Sequence, residues 1–128
     1  MFPAGKMSEA FALTAEQQRG LLELLASTQQ QRTLITYRQV IEHLHLPAPS
    51  VRRLAYALEQ LACADHARGW PLRSVLVVSQ ARPAHPQLGF MQCMAQLGVF
   101  SAAMDEANVA AWLSTQLAQV YPFSYPEE

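Results

Sequence analysis

The chain has 128 residues, 51% apolar and only 15% charged, the size and make-up of one globular domain that buries a core without a metal or disulfide staple. No apolar run approaches the ~18–20 residues of a membrane span, and Met1–Phe11, with one lysine and no apolar core, lacks the form of a signal peptide. Two cysteines, Cys63 and Cys93, are too few for a disulfide framework, so a reducing, cytoplasmic compartment is expected.

Residues 1–12 show no periodicity and read as an N-terminal arm, followed by one domain over 13–120 and an aromatic tail over 121–128. Thr14-Ala15-Glu16-Gln17 has the capping-box form, in which threonine and glutamine satisfy each other's end amides. Leu21, Leu24, Leu25 and Thr28 recur behind it at helical spacing, so a first helix is expected over 14–29. Thr36-Tyr37-Arg38-Gln39 repeats the signal, and Val40, Ile41 and Leu44 give a short second helix over 37–44 its apolar face. Pro47 and Pro49 break the chain. Val51, Leu54, Ala55, Leu58, Leu61 and Ala62 then trace the apolar stripe of a third helix over 50–66, which Gly69 ends. Val75-Leu76-Val77-Val78 is short, β-branched and bounded by turn formers, and reads as a strand. Residues 80–89, with two prolines and a glycine, read as a loop. Phe90–Leu97 forms a short helix stopped by Gly98, and Asp105–Val120 a last helix with Val109, Trp112, Leu113, Leu117 and Val120 on one face.

The net charge of −1 hides an asymmetry. Arg32 to Arg82 contains seven arginines, no lysine and three acids, whereas the rest of the chain is acidic. Arginine's flat fork suits phosphates and guanine edges. The arginine-rich stretch is also where a short helix, a tight proline turn and a longer amphipathic helix follow one another, the helix-turn-helix plan. With a strand and loop behind it as a wing, the fold class expected is mainly α with a small β-wing: a winged helix-turn-helix with an extra C-terminal helix. The apolar stripe of helix 50–66 leaves Ser50, Arg52, Arg53, Tyr56, Glu59 and Gln60 outward. Arg52 and Arg53 sit in the first turn, where they oppose the helix macrodipole at about 0.3–1 kcal/mol each. That cost hints at a role in binding. DNA is the expected partner, with helix 50–66 in the major groove, Arg52 and Arg53 touching DNA, and Arg38, Arg73 and Arg82 steadying phosphates.

Three stretches, I-T-Y-R-Q-V (35–40), L-P-x-P-S-V-R-R-L-A-Y-A-L (46–58) and W-P-L-R-S-V-L-V-V (70–78), together resemble the DNA-binding domain of the O6-alkylguanine DNA alkyltransferases and alkyltransferase-like proteins over roughly 35–89. The resemblance implies that Arg52 stands where that family's arginine fills the gap left by a flipped base, and Tyr37 where its tyrosine lies near the flipped nucleotide's phosphate. It departs from the family at the chemistry. Leu72 stands in place of the nucleophilic cysteine, Arg73 in place of the histidine, and Ala55 in place of a close-packing glycine. With no thiolate there is no alkyl acceptor, so the resemblance implies a shared winged-helix plan without alkyl transfer and without shared damage recognition. The chain is also similar to a loose set of small bacterial and phage proteins with a Pro-Leu-x-Ser-x-Leu-Val-Val strand and a later Gly-Phe, a likeness that implies no activity.

Other chemistry finds little footing. His43 and His45 point apart on a helix, His66 and His85 are isolated, and no metal-ligand spacing occurs; no metal, cofactor or catalytic residue is expected. Cys63 reads as a buried small hydrophobe, Trp70 as a core anchor rather than a base-stacking platform, and Trp112 as core. The alternative to DNA is a protein-interaction module, a homodimer among its forms, on the same scaffold. It draws on the low charge, the acidic flanks and the aromatic tail of Tyr121, Phe123 and Tyr125.

Overall fold

The computed structural model describes residues 11–80 and 86–126. Among them are five α-helices and a two-stranded sheet: α1 (Ala15–Gln30), β1 (Ile35–Thr36), α2 (Tyr37–Leu44), α3 (Ser50–Ala67), a 3-10 turn (Arg73–Leu76), β2 (Val77–Val78), α4 (Leu88–Leu97) and α5 (Glu106–Val120).

Both capping boxes form. The Thr14 hydroxyl accepts from the Gln17 amide at 3.1 Å while the Gln17 side chain accepts from the Thr14 amide at 2.9 Å. Thr36 and Gln39 repeat the exchange at 3.1 and 2.9 Å at the start of α2. Each box satisfies end amides that would otherwise lack partners. α5 starts on Asp105, whose carboxylate accepts from the Asn108 amide at 2.9 Å, and α4 stops at Gly98, which takes the left-handed φ of 87°. A β-carbon on Gly20 would lie 2.9 Å from Leu44 Cδ2, so a side chain there would require the Leu44 side chain to move.

The strand expected over 75–78 forms only in its second half. Residues 73–76 wind into the 3-10 turn instead, because tertiary bonds outweigh their β-branched preference. The Ser74 hydroxyl donates to the Leu58 carbonyl at 2.8 Å, the Val75 amide to the Leu72 carbonyl at 3.1 Å, and the Arg73 side chain is anchored on Asp65. β2 then pairs in parallel with β1, Ile35 opposite Val77 and Thr36 opposite Val78. The strand expected as part of a wing thus joins the segment ahead of α2, and no antiparallel pair occurs among the described residues. Of the expected loop 80–89, residues 81–85 lie outside the described residues, and Leu88 and Gly89 already belong to α4.

The core is continuous across these elements. Leu21 and Leu25 of α1, Val40 of α2, Leu54 and Leu58 of α3, Val75 to Val78, Met91 and Met94 of α4 and Val120 of α5 are fully enclosed. Trp112 is half-buried, its indole donating to the Val99 carbonyl at 2.8 Å and its ring edge-on to Phe100. The C-terminal segment folds back over the domain. The Gln29 amide donates to the Val120 and Phe123 carbonyls at 2.7 and 2.6 Å, the Tyr121 hydroxyl to Thr33 at 2.8 Å, and the Tyr125 hydroxyl to Pro71 at 2.8 Å. Phe123 and Tyr125 close on Trp70 with ring centroids 6.3 and 6.0 Å away. Trp70 is therefore an anchor for this segment.

Candidate nucleic-acid interface

The residues nominated in the sequence take four different situations. Tyr37, at the start of α2, is only 5% exposed. Burial, and then the nearby Glu59 carboxylate, push its hydroxyl above the usual tyrosine range. It forms the inner wall of a cavity of about 400 Å3. Among the described residues, Arg38, Ile41 and Glu42 of α2, Val51 of α3, Ser79 and Gln80 after β2, and Gln87 before α4 also line it. Arg38 is exposed. The parallel strand pair creates this space by carrying residues 79 and 80 to the N-terminal end of α2.

Ser50, Arg52 and Arg53 open α3 beside the cavity, but they are not equivalent. The Ser50 hydroxyl donates to the Leu46 carbonyl at 2.8 Å, closing the proline turn. Arg53 folds back on the same turn, its Nε donating to the Pro47 carbonyl at 3.1 Å and its Nη2 to the Ala48 carbonyl at 3.4 Å. Arg52 points outward and is exposed, its guanidinium carbon 5.5 Å from the centre of the Phe11 ring. Tyr56, one turn further on, is half-buried.

Arg73 belongs to the interior. It is 7% exposed and grips Asp65 with two bonds, Nη2 to Oδ1 at 3.0 Å and Nε to Oδ2 at 3.2 Å, and its guanidinium lies 4.4 Å from the Tyr125 ring centre. A group held in this way is not available to a phosphate. Arg82 lies outside the described residues. Leu72, which the family resemblance sets at the nucleophile position, is buried at 3% exposure and lines no part of the cavity, nor does Arg73. On that side the wall is Ser79 and Gln80.

Several residues of the site escaped the sequence reading. Val51 counts toward the apolar stripe by spacing, yet it is 50% exposed where it faces the cavity, and the enclosed stripe begins at Leu54. Ser79, Gln80 and Gln87 carry no periodic signal and enter the site only through the fold. Glu59, whose own carboxyl is raised by burial, acts on both Tyr37 and Cys93. Burial, then Glu59 and Cys63, push the Cys93 thiol up to about 11. Cys63 is half-buried rather than enclosed. No group of three or more potential metal ligands occurs among the described residues. No helix among them is long and apolar enough to cross a membrane. Against protein-family models, curated proteins and solved structures, the chain has no match.

Proposed function

We propose that this protein binds duplex DNA without altering it chemically, through a helix-turn-helix of winged-helix type in which α3 is the reading helix. The observation that carries the reading is the grouping at one end of the α2–α3 pair. The exposed Arg38 lines a cavity together with the buried Tyr37, and the exposed Arg52 follows Val51 of the same lining in the first turn of α3. The first turn of a reading helix is the part that meets bases and phosphates, and the arginine forks there suit both. The cavity, at about 400 Å3, falls in the ~300–1,000 Å3 range of small-molecule sites. Among the described residues the lining supplies hydroxyl, amide, guanidinium and carboxylate groups, donors and acceptors suited to holding a polar ligand.

A titration of labelled duplex at two salt concentrations tests this reading with wild type, Arg38→Ala and Arg52→Ala. Wild type is expected to bind at low salt and weaken steeply as salt rises, each variant losing part of the slope. Absence of binding at low salt ends the proposal. The exposed Val51 and Leu88, at 50% and 60%, favour a second reading in which this face docks on a protein. A complex that survives high salt in place of DNA binding would select it.

A further inference from the structure

We propose that Phe11 is a positioning residue for Arg52, an inference that rests on the DNA-binding reading. Phe11 precedes the cap of α1, and Leu13 beside it packs against the core, fixing where the segment runs. The Phe11 ring is half-buried, and the Arg52 guanidinium carbon stands over it at 5.5 Å, within the ~6 Å reach of a cation–π contact. Two features of the surroundings give that contact a purpose. A positive charge in the first turn of a helix is repelled by the macrodipole, and the negative face of the ring offsets this at the one arginine there that points away from the protein. Arg53, its neighbour, is instead held by the carbonyls of Pro47 and Ala48.

A guanidinium lying over a ring keeps its in-plane N–H donors for a phosphate or a guanine edge. It also surrenders less rotamer freedom on binding than a freely moving arginine does. Phe11 thus holds Arg52 at the first turn of α3, the part of a reading helix that meets DNA.

The test is a double-mutant cycle read by duplex titration, with Phe11→Leu, Phe11→Trp, Arg52→Ala and the Phe11→Leu/Arg52→Ala pair. Phe11→Leu is expected to weaken binding about two- to fivefold, the range of an exposed cation–π contact. Phe11→Trp is expected to retain wild-type affinity, and the pair to bind no more weakly than Arg52→Ala alone. Without DNA, the Arg52 Nε–Hε resonance should carry a ring-current shift that disappears in Phe11→Leu. Unchanged binding by Phe11→Leu overturns the proposal, and so does an equal loss in the Arg52→Ala background, because a structural role would be indifferent to Arg52. If wild type binds no duplex, the DNA reading falls and this role falls with it. Wild-type binding with no coupling between the two residues refutes this role alone.

Discussion

Arg73 and Asp65 are locked together in the interior by a two-pronged ion pair, 3.0 and 3.2 Å, that joins the last turn of α3 to the 3-10 turn leading into β2. Asp65 is fully enclosed and also accepts from the Arg73 backbone amide at 3.4 Å. The aromatic rings of Trp70 and Tyr125 stand over the guanidinium at 5.8 and 4.4 Å. An arginine that sequence alone assigns to phosphate contact is here a structural joint.

Replacing Arg73 by methionine should therefore act on folding. It leaves a buried carboxylate without its counter-charge, and the expected loss is roughly 3–5 kcal/mol in urea unfolding. Removing both charges, as Asp65→Asn with Arg73→Met, should cost clearly less than the sum of the single changes. A small effect of Arg73→Met would mean that the pair does not organise this corner.

Tyr125→Phe isolates one bond of the C-terminal segment. The ring stays against Trp70 while the hydroxyl that donates to Pro71 at 2.8 Å is lost. Equilibrium unfolding should register about 0.5–1.5 kcal/mol. Tyr121→Phe, which removes the bond to Thr33, should register a similar amount.

Arg52 and Arg53 should separate cleanly in the duplex titration. Arg52→Ala is expected to lower the salt slope by about 0.9, the share of one phosphate contact. Arg53→Ala should keep the slope and show its effect in unfolding, since its donors serve the Pro47 and Ala48 carbonyls. A slope change of the same size in both would place Arg53 on DNA as well.

Stability should decline on the alkaline side. The Cys93 thiol is raised from its ordinary 9.0 to about 11 in the folded chain, so between those values the folded state holds a proton that the unfolded state has released. Its contribution is complete below pH 9 and lost as pH rises through about 11. Tyr37 and Tyr125, both raised chiefly by burial, extend the decline above pH 10. Urea midpoints at pH 7, 9 and 10.5 should fall in wild type and fall less in Cys93→Ala. Parallel pH dependence in the two proteins would contradict the assignment to the thiol.

What could be read in advance follows the range of the forces involved. The starts of α1 and α2 are set by Thr14–Gln17 and Thr36–Gln39, partners three residues apart, and both were visible in the sequence. α3 was visible too, through its stripe and the proline turn before it. Residues 73–76 read as strand because Val75 and Leu76 are good strand formers, and nothing local announces that Asp65 and the Leu58 carbonyl will hold Arg73 and Ser74 in a tight turn. Arg52 and Arg53 are indistinguishable as letters. Only the position of the Pro47 and Ala48 carbonyls and of Phe11 sends one inward and the other out. The cavity is harder still, since its walls come from α2, α3 and the chain on either side of residues 81–85.

The parallel strand pair also bears on how the molecule opens. β1 and β2 close a loop of about forty residues that contains α2 and α3, and the hydroxyls of Tyr121 and Tyr125 hold the same stretch at Thr33 and Pro71. With two fastenings at each end, α3 should not fray away while the rest stays folded. Its amides should exchange with solvent together with those of Val77 and Val78, as one cooperative unit, at rates set by global unfolding.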